Sequence, residues 1–456
     1  MSSPGYFQRA MRCSLMVFVL MLVVCIFTVP QGITSLGAAH QFDDSTPARW
    51  TAVEYWKSAA DCARESGMLL VACTESGPKP MAEVFNSDDY GHALALGIYS
   101  IARDRPIYNS DISRLNTIVN FAGIVTLSIL LLSMNFFGAA LLFLAAGGGL
   151  VGGWHAVAPH PAMYGIVCFA ALLPLAIVGH ASNVLRGRMF WIWFIIGLLA
   201  LCVSLLFRQA VGMIGLVSGL ISLGYLASRG WRDRKSFKFA WLAIPISLAY
   251  FFPIAVMSGR DLVYSLPPTD VVEQHGFTHA LYLGLGVVPN AFGIEWEDAL
   301  GYQVAKSTDP EIRIYTDEYF DTLGNRYWDA VKHDPAEVAR IYWEKLTTAA
   351  NAPSPAFYSG ISTWKLIVFS ILLSLAASAI YWKRSSAENL ALLAIYTTIF
   401  GFLLQAALIH PSFVYFAPVY LLLLLSLCLS TSNLLKYATS SGGLDFSTEW
   451  ANKPGH

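Results

Sequence analysis

Apolar residues in this chain fall into long uninterrupted runs rather than amphipathic stripes. A helix needs roughly 20 apolar residues to cross a bilayer core about 30 Å thick. Ten runs of about this length predict membrane-spanning helices near residues 12–30, 118–135, 137–154, 162–180, 189–207, 209–228, 239–258, 363–382, 389–409 and 412–434. The sequence therefore predicts an all-α polytopic membrane protein.

Two long polar segments separate these runs, and the other connections are short turns. We call residues 31–117 the first polar segment and residues 259–362 the second polar segment. The predicted organisation is a first membrane helix within residues 1–30, the first polar segment, a helix group over 118–258, the second polar segment, a helix group over 363–434, and a tail over 435–456.

The positions of the cations predict the orientation, because Lys and Arg collect in short cytoplasmic loops. A cytoplasmic N-terminus puts the basic residues near 9–12, 186–188, 229–238 and 383–384 inside, and leaves Arg208 as the cation of the short outer turns. Both termini are then cytoplasmic and both polar segments extracytoplasmic. The alternative for the first run is a cleaved signal peptide, since Arg9 and Arg12 precede it.

Composition narrows the class of protein further. Only 13% of the 456 residues are charged, against about 25% in soluble domains, which excludes an ordinary cytosolic enzyme. The net charge of −1 offers no basic field for nucleic acid. None of the 30 Asp and Glu residues lies within a predicted span, which argues against a proton- or cation-coupled transporter.

Cysteine positions agree with the predicted orientation. Cys62 and Cys73 are the two cysteines outside the apolar runs, and both lie in the first polar segment. Thiols on the oxidising side of a membrane tend to pair, so we predict a Cys62–Cys73 disulfide.

The first polar segment carries the sharpest motif, in which Asp88 and Asp89 precede an amphipathic helix. Acids in a first helical turn are favoured by the helix dipole alone, and that is one explanation of the pair. The other is a functional pair: adjacent carboxylates repel, which raises the pKa of one of them, as a general base needs. A role as metal ligand is also open, so a divalent metal is an unassigned option.

An acidic pair in the first outer loop, followed by an aromatic residue and a helix along the membrane, resembles the GT-C glycosyltransferases. In these polytopic enzymes, which include protein O-mannosyl and lipid A aminoarabinose transferases, sugars come from polyprenyl phosphates. Asp88 and Asp89 match the family's two acids. The stretch from His410 to Pro418, which opens the last span, also resembles the family. The acids follow Pro30 at a greater distance than is usual there, and a disulfide-closed insertion would account for it.

The remaining candidates divide into two sets. Arg208, with His155, His160 and His410 on the same face, could hold a lipid phosphate, because a guanidinium binds phosphate in a bidentate manner.

The second polar segment mixes glycines, histidines and acids densely, so we expect it to line a substrate cleft together with Tyr90. Those predicted cleft residues are Tyr90, His275, His279, Asn290, Glu295 and Asp298. The i, i+4 spacing of His275 and His279 could also bind a metal.

These patterns predict an inverting GT-C glycosyltransferase in a bacterial inner membrane, with its active site on the extracytoplasmic face. Its partners would be a polyprenyl-phosphate-sugar donor, membrane lipid, and a glycan, lipid or protein acceptor. An O-antigen polymerase or ligase would have a similar topology but would depend on outer arginines and a histidine. A lipid or solute transporter and a non-catalytic assembly protein are alternatives of other classes.

Overall fold

The computed structural model describes residues 51–84, 90–154, 163–231, 236–272, 276–351, 362–381, 386–411 and 413–440. The predicted first span, the acid pair Asp88–Asp89, the turn histidines His155 and His160, and His275 lie outside these residues. The described chain is predominantly helical, and its one sheet is a two-stranded hairpin.

The first polar segment folds as α1 (Thr51–Ser66), β1 (Val71–Thr74), β2 (Gly77–Pro80), a 3₁₀ turn (Met81–Glu83) and α2 (Tyr90–Arg103). The strands pair antiparallel, with Val71 opposite Pro80. The predicted disulfide between Cys62 and Cys73 is confirmed, and it ties α1 to β1. Trp56 is fully buried in an apolar core that this segment forms together with Leu206 and Met257 of the later helices.

Seven helical stretches follow, namely α3 (Asn109–Ser133), α4 (Phe137–Trp154), α5 (Met163–Ala181), α6 (Arg188–Phe207), α7 (Gln209–Trp231), α8 (Ala243–Leu248) and α9 (Phe252–Tyr264). Two 3₁₀ turns, Ser236–Leu242 and Ala249–Phe251, flank α8. The prolines at 245 and 253 account for this broken course, because proline removes a backbone donor from a helix.

The second polar segment contains α10 (Phe277–Gly284), α11 (Asp298–Thr308), α12 (Asp317–His333) and α13 (Pro335–Asn351). The chain ends with α14 (Thr363–Tyr381), α15 (Ser386–Leu408) and α16 (Phe413–Ser440).

Six helical stretches in the described part of the chain are long and apolar enough to cross a membrane: Asn109–Ser133, Arg188–Phe207, Gln209–Ser228, Phe239–Tyr264, Ala387–Leu408 and Pro418–Leu435. Shorter apolar helices at Phe137–Gly148, Gly165–Ala181 and Thr363–Ala379 coincide with further predicted spans. The chain is therefore an α-helical membrane protein.

A pair of glycines allows α3 and α5 to approach closely. A Cβ atom on Gly123 would lie 2.4 Å from the carbonyl oxygen of Gly165. The amide of Gly165 also donates a hydrogen bond of 2.6 Å to Oδ1 of Asn120. Lipid tails give no hydrophobic drive for helices to associate, so close packing and hydrogen bonds between helices stabilise such contacts.

The last three helices are joined by hydroxyl groups. Ser370 and Ser374 of α14 contact Ser426 and Ser430 of α16 at 2.5 and 2.8 Å. The hydroxyl of Tyr396 on α15 lies 2.9 Å from Ser370 and 2.8 Å from Ser374. This network gives the three helices directional contacts where the surroundings are apolar.

The first polar segment contacts the second in two places, of which one is the end of α9, where the second segment begins. The hydroxyl of Tyr264, at the end of α9, accepts a 3.1 Å bond from the amide of Leu69. Arg260 donates to the carbonyl oxygen of Leu70 at 2.9 Å. Arg313 of the second segment pairs with Glu83 of the first at 3.0 Å. The polar segments therefore meet beside the end of α9.

We predict that Gly123→Ala destabilises the protein, because the added methyl group would meet the backbone of Gly165, which cannot move aside. Overpacking of this kind costs about 1–3 kcal/mol, so the melting temperature in detergent should fall. Gly224→Ala is the matched control, since nothing lies within 4 Å of a Cβ there. Equal melting temperatures for the two variants would contradict the packing account.

Candidate functional site

The start of α2 packs directly on the turn between α6 and α7. A Cβ atom on Gly91 would lie 2.8 Å from the Cα of Phe207, so only glycine fits without displacing backbone. Tyr90, the first residue of α2, is 4% exposed. Arg208 follows Phe207 and is buried, with 8% exposure. This contact brings the helix that follows the acid pair in sequence next to the turn that carries Arg208.

His92 lies in the interior of this contact and is fully buried. Its ring stacks on Trp56 with the centroids 4.2 Å apart. The ring of Phe207 packs edge to face with it, with the centroids 4.9 Å apart. Nε2 of His92 lies 2.9 Å from Oδ1 of Asn116 on α3. Because an amide oxygen only accepts, Nε2 carries the proton and Nδ1 keeps a lone pair. We call Trp56, Gly91, His92, Asn116, Phe207 and Arg208 the α2–α6 junction.

The two ionisable side chains of the junction, those of His92 and Arg208, differ in charge. Burial lowers the pKa of His92 to about 4; the hydrogen bond with Asn116 acts against this shift, and the charge of Arg208 adds to it. The imidazole is therefore neutral at pH 7, while the guanidinium keeps its charge. The junction thus places a buried cation, of the kind that binds a phosphate or carboxylate group, beside a neutral ring.

His410 lies beside Trp296 and Lys345. Its ring packs edge to face with that of Trp296, with the centroids 4.9 Å apart. Burial and the neighbouring charge of Lys345 both lower the pKa of His410. Trp296 and Lys345 therefore form the described surroundings of His410, and its predicted share in a phosphate site with Arg208 stays a prediction.

Lys345 is a buried residue that the sequence did not single out. Its ammonium group donates to the carbonyl oxygens of Gly284, Leu408 and Ile409, each at 2.9 Å. Burial lowers its pKa to about 7. Three donors meet three acceptors, so Lys345 fastens the second polar segment to the end of α15.

The second polar segment brings together His279 and Asp298, two of the residues predicted to line a cleft. Nδ1 of His279 lies 2.7 Å from the hydroxyl of Tyr319, and Nε2 lies 3.1 Å from Oδ1 of Asp298. The ring of His279 is buried, whereas the carboxylate of Asp298 is exposed. Helix α10 begins at Phe277, and His275, the other half of the predicted i, i+4 pair, lies outside the described residues.

The other predicted cleft residues have distinct surroundings. The side-chain amide of Asn290 donates to two carbonyl oxygens of its own loop, those of Val288 and Ile294, at 3.0 and 2.8 Å. Glu295 is exposed to solvent. Among the residues that the structure describes, no group of three His, Cys, Asp or Glu side chains is close enough to hold a metal ion.

Sequence reasoning missed Glu83, which links the two polar segments just before the acid pair. One carboxylate oxygen accepts from Thr269, and the other accepts from Arg313 at 3.0 Å. It also missed His92 and Asn116. A signal existed for Asn116, since it stands four residues before Asn120 in an apolar run, and two amides at that spacing share a helix face.

Comparisons with known proteins give no relatives: no protein-family model, curated protein or solved structure matches this chain.

Stability should fall between pH 6.5 and 4 because of His92. The unfolded imidazole takes up a proton below about pH 6.5, whereas the folded one does so only near 4. The unfolded state therefore binds more protons in this window, and up to about 3 kcal/mol is lost as the pH falls.

His92→Gln keeps a donor for Asn116 but removes the titration, so we predict a flatter dependence of its melting temperature on pH. His333→Gln, which removes an exposed histidine, should behave like the wild type. Thermal unfolding in detergent between pH 7 and 4.5 measures this, and parallel curves for wild type and His92→Gln would show that His92 does not carry the effect.

Proposed function

We propose that this protein is an inverting glycosyltransferase of the GT-C type. It would move a sugar from a polyprenyl-phosphate donor to a glycan, lipid or protein acceptor on the extracytoplasmic side of a bacterial inner membrane. The proposal includes ten membrane spans and cytoplasmic termini, as the distribution of cations indicates.

The observation that carries the proposal is the α2–α6 junction. Tyr90 directly follows Asp89 in the sequence, and α2 begins there, against the turn that bears Arg208. Arg208 is buried and flanked by the neutral ring of His92. A fixed cation close to the start of this helix is what a phosphate leaving group requires.

The proposed reaction is a single displacement at the anomeric carbon. The acceptor hydroxyl oxygen forms a bond to that carbon, and the bond from the carbon to the phosphate oxygen breaks. Asp88, assisted by Asp89, takes the hydroxyl proton, and the polyprenyl phosphate leaves with the bonding electron pair. One displacement inverts the anomeric centre. ATP is not consumed, because the donor phosphodiester carries the activation.

An O-antigen polymerase or ligase is the second candidate, and His279 is the observation that favours it. This histidine is held on both ring nitrogens by Tyr319 and Asp298. Enzymes of that class would depend on outer arginines and a histidine, so loss of activity in His279→Ala, with activity retained in Asp88→Asn, would favour the second candidate.

Asp88→Asn should abolish sugar transfer, because an amide cannot take the acceptor proton, while expression and melting temperature stay unchanged. General-base catalysis contributes about 10²–10⁴-fold to rate. Asp104→Asn is the matched control: Asp104 is exposed and has a φ of 48°, which asparagine also tolerates. Transfer at the wild-type rate by Asp88→Asn would eliminate the proposed mechanism.

Arg208→Ala should weaken donor binding roughly tenfold to a hundredfold, since a hydrogen bond to a charged group contributes about 1.5–3 kcal/mol. Arg208→Lys keeps the charge without the bidentate geometry and should be intermediate. Arg114→Ala, at an exposed position of α3, is the control. Equilibrium binding of the donor in nanodiscs measures the effect, and unchanged affinity in a folded Arg208→Ala protein would assign Arg208 a purely structural role.

A further inference from the structure

An open groove of about 320 Å³ lies in the second polar segment, between α10, the loop after it and α12. We call it the α12 groove. The side chains that line it include those of Tyr282, Phe292, Ile294, Arg326, Asp329 and His333. Its volume is at the lower end of the range for small-ligand sites, about 300–1,000 Å³.

One side of the groove is apolar and aromatic. Tyr282 is 8% exposed and Ile294 6% exposed, so both belong to the packed core of the segment. Phe292 is half-buried beside them. Phe292 is therefore the side chain on this side that an occupant of the groove can contact most fully.

The loop that carries this apolar side is fixed in place by hydrogen bonds. Oδ1 of Asn290 accepts from the amides of Phe292 and Ile294, each at 3.1 Å. From α13, Glu337 accepts from the amide of Ala291 at 2.9 Å, and Arg340 donates to the carbonyl oxygen of Pro289 at 2.7 Å. These hydrogen bonds hold the loop on the apolar side of the groove in place before a ligand binds, which reduces the entropy cost of binding.

The opposite side of the groove is charged and is formed by one face of α12. Arg326, Asp329 and His333 follow one another at i, i+3 and i+7, so they share that face. Arg326 also donates to Thr308 at 3.3 Å, which orients its guanidinium. Tyr282 lies close enough for the charge of Arg326 to oppose the rise that burial causes in its pKa.

We propose that the α12 groove binds a saccharide unit that carries at most one negative charge. A sugar ring has an apolar face for Phe292 and Tyr282, and hydroxyl groups that can donate to Asp329 and accept from Arg326. A purely apolar ligand would make no use of the exposed Arg326, Asp329 and His333. A multiply charged anion would meet the carboxylate of Asp329 between the two basic side chains.

This site goes beyond the proposed sugar transfer, because binding in the groove requires neither donor nor Asp88. Loss of transfer and loss of saccharide binding are therefore separate results.

Saturation-transfer difference NMR on the full-length protein in nanodiscs tests the proposal. The probes are cellotetraose, chitotetraose, mannotetraose and a disaccharide of glucuronate and N-acetylglucosamine. At least one probe should receive saturation from wild-type protein. Phe292→Ala and Asp329→Ala should each reduce its affinity roughly tenfold, the loss expected for one removed contact.

Asp321→Ala is the matched control, because Asp321 is an exposed carboxylate of α12 that does not line the groove. Its affinity should equal that of the wild type, and melting temperatures establish that all variants are folded. The proposal is overturned if none of the four probes receives saturation, if the three variants bind equally, or if inorganic phosphate displaces the sugar at millimolar concentration.

Discussion

The close contact between Gly91 and Phe207 determines where the first polar segment attaches to the membrane helices. Because residue 91 has no side chain, α2 can lie against the backbone of the α6–α7 turn. His92 then fills the space between Trp56 and Phe207, and Arg208 is enclosed. The position of the candidate site relative to the bundle follows from this contact.

Buried cations mark the boundary between the polar segments and the helices. Arg260 donates to the carbonyl oxygen of Leu70 and pairs with Asp261, while Lys345 is satisfied by three carbonyl oxygens. A cation that leaves water must recover its hydrogen bonds from the protein, and here backbone carbonyl groups supply them. These residues hold the polar segments in fixed positions over the helices, as a site shared by both would require.

Sequence periodicity located the apolar helices because membrane spans are set by a length and a composition. It missed their ends: α3 begins at Asn109, where Asp111 pairs with Arg105, well before the apolar run starts. His92 escaped notice because its partners, Trp56 and Asn116, are far from it in sequence. The burial of Lys345 was not predicted, because lysine in an amphipathic helix is normally exposed. Asn290 was predicted as a cleft residue because the stretch around it is dense in glycines, histidines and acids. Its contacts with its own loop depend on a turn geometry that spacing alone does not specify.

The central claim is that the protein cleaves the bond between a sugar and a polyprenyl phosphate. The most direct measurement is release of free polyprenyl phosphate by purified protein in nanodiscs, supplied with a panel of polyprenyl-phosphate sugars and a mixed glycan acceptor. The account predicts multiple turnovers with at least one donor and an inverted anomeric configuration in the product. Absence of lipid phosphate release with every donor, or a product of retained configuration, would contradict it.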